Sequence, residues 1–182
     1  MFISIKDLEL RKLQFDEEFL PGTVDFGSDV RQLGPLKLEG RAELVREHHG
    51  GQHTVDDIRV VASLTGRMDI NCARCIENVE LDVNRSFDLL YRPLESEKGS
   101  DEVNISEAET EIGYYKGEGL ELEDVLREQV LLAVPIKTVC RPDCKGLCPH
   151  CGKNRNNESC DCGQKTGDPR WNTLKGLRDK LQ

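Results

Sequence analysis

Residues 55–70 read VDDIRVVASLTGRMDI, with Ile58, Val60, Ala62 and Leu64 on every second position. Side chains two apart share one face of a β-strand, so this period predicts a half-buried strand. The flanking stretches carry the same period. Upstream, PLKLEGRAELVRE (35–47) sets Leu36, Leu38, Gly40, Ala42 and Leu44 on alternate positions, and HHGGQHTVDD supplies a turn with Gly50-Gly51 at its tip. Downstream, VELDVNRSFDLLYRP (79–93) places Val79, Leu81 and Val83 on one face ahead of an expected irregularity. Three long strands joined by short turns predict an antiparallel β meander, or a sheet curled into a barrel-like form.

Further out, ISIKDLEL and LQFDEEF near the N-terminus fit either a strand or a helical turn. LESEKGSDEVNISEAETE (94–111) is acidic with little to bury and reads as an exposed loop. IGYYKGE follows as a candidate edge strand. LELEDVLREQVLLAV (120–134) predicts a core helix, with Leu122, Val125, Leu126, Gln129, Leu132 and Ala133 along one stripe and Pro135 ending it. Its apolar face is expected to pack on the strands. Asp168, Pro169 and Trp171 then open a predicted terminal helix with Leu174, Leu177 and Leu181. The fold class is α+β: a β-rich domain over 1–135, carrying the acidic loop and the core helix, and a cysteine-rich module with a short helix over 136–182.

Six of the eight cysteines crowd into CRPDCKGLCPHCGKNRNNESCDC, residues 140–162; the other pair, Cys72 and Cys75, lies in NCARCIEN. Short cysteine pairs beside turn residues are how a chain brings two thiolates to one tetrahedral ion. Cys148-Pro149-His150-Cys151-Gly152 has the form of a zinc knuckle, its glycine permitting the tight turn. The spacing predicts one structural zinc (Zn2+) site from Cys148, Cys151, Cys160 and Cys162. Cys140 and Cys144 are then left to join Cys72 and Cys75 around a second ion. Four thiolates also suit an iron–sulfur cluster, paired cysteines can form disulfides, and Cys72-x2-Cys75 matches a thiol-redox motif. All-thiolate zinc sites leave no open position, which argues against hydrolytic chemistry. His48, His49 and His53 read as a hydrated turn. No phosphate-cradling glycine loop or nucleophile elbow is present, and the reading is of a protein that is not an enzyme.

The net charge of −9 is unevenly spread: residues 136–182 carry +5 and residues 1–135 carry −14. An acidic body repels nucleic-acid phosphates, so Lys145, Lys153, Arg155 and Lys165 on the basic tail are the candidate nucleic-acid contacts. There is no apolar run long enough for a membrane span, and charges interrupt MFISIKDLELRKL where a signal peptide needs an apolar core. A cytoplasmic, reducing setting is expected, where clustered cysteines bind metal more often than they form disulfides.

GPLKLEGRAEL, the strand before NCARC, LELEDVLREQVLLAVPIK, CKGLCPHCGKNRN and DPRWNTLKGLRDKL occur here in an order that resembles the YceD family, the large ribosomal RNA subunit accumulation proteins. The resemblance spans most of the chain from about residue 34 onward. It implies a non-enzymatic role in large-subunit rRNA synthesis, processing or assembly, with rRNA, an assembly particle or a ribosomal protein as partner. Two other readings rest on the residues alone: a zinc-ribbon nucleic-acid or transcription-linked binder, and a thiol redox or redox-sensing protein.

Overall fold

The computed structural model describes residues 1–48, 54–94 and 112–164. The chain forms two compact units: residues 1–70 with 78–136, and residues 71–77 with 137–182.

In the first unit, the strands are β1 (Phe2–Ser4), β2 (Leu13–Phe19), β3 (Val30–Gln32), β4 (Leu36–His48), β5 (Thr54–Asn71), β6 (Asn78–Pro93), β7 (Ile112–Tyr115) and β8 (Gly119–Glu121). Its helices are α1 (Ile5–Leu10) and α2 (Leu122–Ala133). ISIKDLEL therefore divides between β1 and α1, and LQFDEEF is a strand. The main sheet runs β2-β4-β5-β6-β7, with β3 also on β5, while β1 and β8 make a separate antiparallel pair. β2 and β7 end the path and are not paired to each other, so the sheet is open and the barrel-like alternative is not realised. β4 pairs antiparallel with β5 from Lys37↔Thr65 to His48↔Thr54, and β3 takes up the same edge at Gln32↔Met68. Only six residues separate β5 from β6, too few for a parallel crossover.

β7, by contrast, lies parallel to β6, with Leu90↔Ile112 and Pro93↔Tyr115 in register. Parallel neighbours need a connection of about a dozen residues or more, and the acidic stretch 94–111 is long enough to supply it. The predicted alternation is realised closely. Leu36, Leu38, Ala42, Ile58, Val60, Ala62 and Leu64 are buried, and Gly40 sits where a β-carbon would come within 2.7 Å of Ala62 Cα. Past Val83 the inward phase of β6 continues through Phe87 to Tyr91, and the alternation breaks at the strand's end, where Tyr91 and Arg92 are both buried. The apolar pattern breaks at Arg85 for another reason. Its guanidinium donates to Leu132 O at 3.2 Å, satisfying a carbonyl at the end of α2.

α2 buries Leu122, Val125, Leu126, Gln129 and Val130. Leu132, expected on that stripe, is 58% exposed. At 3.6 residues per turn it falls at the margin of the buried arc in the last turn, and Val130 occupies the opposite margin inside the core. Asp57 and Arg92 are both buried and paired at 3.0 Å, so each charge answers the other. No helix among the described residues is long and apolar enough to cross a membrane. The predicted terminal helix at 168–181, the Gly50-Gly51 turn tip and the His49 and His53 side chains lie outside the described residues.

Candidate metal centres

All eight cysteines belong to the second unit. Residues 72–77 form a tight turn in which the Cys72 N–H donates to Glu77 O at 2.8 Å and the Ile76 N–H to Cys72 O at 2.9 Å. Residues 148–153 repeat both bonds: Cys148 N–H to Lys153 O at 2.8 Å, and Gly152 N–H to Cys148 O at 2.9 Å. Two Cys-x2-Cys segments far apart in sequence thus adopt one knuckle geometry. Each requires a left-handed residue just after its second cysteine. Gly152 meets that need at φ 72°, whereas Ile76 adopts φ 62° despite its β-branch. Among the described residues Ile76 is the one non-glycine residue with positive φ. Such a conformation is a genuine outlier for its type.

The knuckles gather the thiols into two quartets, Cys72, Cys75, Cys140 and Cys144 in one, and Cys148, Cys151, Cys160 and Cys162 in the other. These are the groupings expected from the spacing. Within each quartet the sulfurs lie within 4.8 Å of one another. In the first, Cys72 and Cys144 sulfurs are 3.9 Å apart and Cys75 and Cys140 sulfurs 3.6 Å. A tetrahedron of sulfurs about 2.3 Å from one metal ion has edges of about 3.8 Å, so the first quartet fits a single ion. A disulfide needs about 2.05 Å, and all eight cysteines are free. Three thiols of the first quartet are buried and Cys140 is half-buried; in the second only Cys148 is buried and Cys151 is exposed.

Backbone donors prepare some of these sulfurs as thiolates, the form that binds metal. Burial raises the Cys72 thiol, but the N–H groups of Arg74 and Cys140 outweigh it and bring it down to about 6. The N–H groups of Cys151 and His150 do the same for Cys148, also to about 6. Asn156 lowers Cys144 by donating its Nδ2 to the sulfur at 3.3 Å. Burial raises Cys140, and the adjacent Cys151 sulfur pushes Cys162 up to about 11. Metal binding would therefore displace protons from the raised members of each quartet.

A polar shell that the cysteine spacing does not reveal holds the unit together. Glu77 accepts from Asn154 Nδ2 at 2.8 Å and from Asn157 Nδ2 at 3.1 Å. Arg74 donates to Cys144 O at 2.9 Å and to Pro142 O at 3.3 Å. The backbone adds Ala73 N–H to Thr138 O and Leu147 N–H to Arg74 O. The three asparagines in KNRNNE between the cysteines were the available signal, since short amides bond readily to nearby backbone. Of the candidate basic residues, Lys145 and Arg155 line one cavity of about 360 Å³. Lys153 is ion-paired with Glu158 at 3.3 Å, and Lys165 lies outside the described residues.

The sequence model of the family described as large ribosomal RNA subunit accumulation protein YceD matches residues 60–178. An uncharacterised protein of Mycobacterium tuberculosis is 36% identical over 103 residues, covering 57% of this chain and 47% of its own length. The chain thus spans about half the length of that relative. The Arabidopsis thaliana protein named large ribosomal RNA subunit accumulation protein YCED homolog 1, chloroplastic, is 35% identical over 63 residues, 35% of this chain and 20% of that protein. Bacillus subtilis YlbN, uncharacterised, is 22% identical but matches along 96% of this chain and 92% of its own. No solved structure matches the chain.

Proposed function

From its membership of the YceD family, which takes in about two thirds of the chain including every cysteine, we propose that this protein is a non-enzymatic cytoplasmic factor supporting large-subunit rRNA accumulation. The family match carries this reading. Its partner is large-subunit rRNA or an assembly particle, engaged through the basic C-terminal region and assisted by protein contacts on the acidic body. Each thiol quartet holds one structural zinc. Support for zinc comes from all-sulfur ligation, from sulfur separations suited to one ion in the first quartet, and from the matched knuckles. A multi-iron cluster would hold its four thiolates further apart than 3.6–3.9 Å. The metals' part is architectural, because four thiolates leave no open position for substrate.

The test is a deletion strain scored for mature large-subunit relative to small-subunit rRNA, in fast growth and in the cold. The ratio should fall and be restored by the wild-type gene. Purified protein should contain two zinc ions, with about one lost in Cys151→Ser. An unchanged rRNA ratio under both conditions removes the ribosomal reading, whatever the metal content.

A further inference from the structure

We infer that Lys145 and Arg155 form a seat for a backbone phosphate of single-stranded RNA, while Lys153 does not take part. The inference rests on the ribosomal reading above for its choice of RNA, and on geometry for its choice of residues.

The cations of the second unit differ in what already occupies them. Arg141 is paired with Asp143 at 3.6 Å, and Lys153 with Glu158 at 3.3 Å. Arg74 is held by the carbonyls of Pro142 and Cys144. Lys145 and Arg155 have no carboxylate partner among the described residues, and both line the same cavity of about 360 Å³ with Ser159 and with Glu158, whose carboxylate is taken up by Lys153. A phosphodiester is an anion with several acceptor oxygens and needs convergent donors of this kind.

Neighbouring rungs of one short ladder carry the two cations. Leu147 bridges to Asn154, the Arg155 N–H donates to Gly146 O at 2.9 Å, and the Lys145 N–H donates to Asn156 Oδ1 at 2.8 Å. The same Asn156 donates to the Cys144 sulfur. Lys145 directly follows Cys144, and Cys160 itself lines the cavity, so both thiol quartets help to build it. The seat is thereby pre-organised by the cysteine knuckles, which reduces the ordering cost of binding. Tetrathiolate metal sites add negative charge nearby, which favours a short, weakly held contact over an extended phosphate track. Lys153 carries the same formal charge, but Glu158 neutralises it.

Full-length, metal-loaded protein would be titrated with a short mixed-sequence single-stranded RNA across a salt series, with inorganic phosphate as competitor. Lys145→Gln and Arg155→Gln should each weaken RNA binding by about tenfold, the size of one charge-assisted hydrogen bond. The double variant should flatten the log–log salt slope by about 0.7, the contribution of one neutralised phosphate on a single strand. Arg141→Gln, at a cation that does not line the cavity, makes the same change in net charge and should bind like wild type. Lys153→Gln combined with Glu158→Gln removes their ion pair at constant net charge and should not weaken binding. Zinc content should be equal in all variants, which separates loss of the seat from unfolding. Equal weakening by Arg141→Gln would overturn the seat in favour of a diffuse field. Displacement of RNA by inorganic phosphate at equal phosphate concentration would overturn RNA as the occupant. In cells, full restoration of rRNA by the double variant would sink the seat and leave the ribosomal reading standing. Binding as predicted with a normal rRNA ratio in the deletion strain would do the reverse.

Discussion

The two units of this protein are held together by different physics. The first buries a continuous apolar cluster, from Ile3 and Phe15 through Leu38, Ile58, Val60 and Leu64 to Tyr91 and Leu126. Every member of that cluster lies within residues 1–70 or 78–136. In the second unit the buried side chains are Cys72, Cys75, Cys144 and Cys148, among the described residues. Long strands can share a hydrophobic interior, but a short loop-rich segment lacks enough apolar surface to offset its chain entropy. Amide hydrogen bonds and, in the function proposed above, metal ligation by the two thiol quartets take its place. Stability in the first unit should therefore follow buried area, and in the second unit metal.

Chelation should break that symmetry most severely. Structural zinc contributes about 10–16 kcal/mol in small zinc-finger peptides, and the proposed zinc sites would add to a second unit that otherwise rests on its polar shell. With a strong chelator, the amides of Cys72, Cys148 and Arg155 should exchange freely in hydrogen-exchange measurements, while those of Val60 and Leu64 stay protected. Persistent protection in the metal-free second unit would show that its polar shell suffices, and the contrast would be wrong.

The reciprocal probe is Leu126→Ala. Leu126 is fully buried on α2, so its loss should cost about 2–5 kcal/mol of first-unit stability in denaturant unfolding. Zinc content should be unchanged. A cost near zero would mean that the face is not energetically coupled to the core.

Within the second unit, the paired knuckles offer a finer comparison. Left-handed geometry costs a non-glycine residue about 1–2 kcal/mol, and glycine forfeits about 0.5–1 kcal/mol of that gain through its greater chain entropy. Ile76→Gly should thus stabilise the unit by up to about 1 kcal/mol, and Gly152→Ala should destabilise it by about 1 kcal/mol. Protection of the Cys72 and Cys148 amides reads each change at its own knuckle. Ile76 is 61% exposed, so little packing is lost with its side chain. Destabilisation by Ile76→Gly would show that the isoleucine contributes something the strain conceals.

A smaller effect should appear in alkali. Burial, helped by the carboxylates of Asp56 and Asp57, pushes Tyr115 up to about 12, and its hydroxyl donates to Asp56 O at 2.7 Å. An unfolded tyrosine ionises near 10, so the fold favours the neutral phenol. That contribution is complete below about pH 10 and is lost as pH rises toward 12. Tyr115→Phe should flatten the fall in first-unit stability across this window; an identical fall in both proteins would assign the alkaline loss elsewhere.

Local periodicity was enough to identify β4, β5, β6 and α2, because alternate burial leaves a period of two and helix burial one of 3.6. Leu36, Leu38, Ile58, Val60 and Leu64 could be placed inside from the sequence alone. So could the Cys148 knuckle, since its turn glycine follows directly in the chain. The tertiary structure alone decided that β7 lies parallel beside β6 and that Val130, rather than Leu132, enters the core. It also decided that residues 71–77 belong with the C-terminal unit, that Ile76 copies the conformation of Gly152, and that Glu77 is claimed by Asn154 and Asn157. Pairing direction, the shared knuckle conformation and ion-pair choice depend on residues distant in sequence, and no local period records which of them will meet. Lys145, Lys153 and Arg155 show this most plainly: they are equal as charges along the chain, and only folding places Glu158 against one of them.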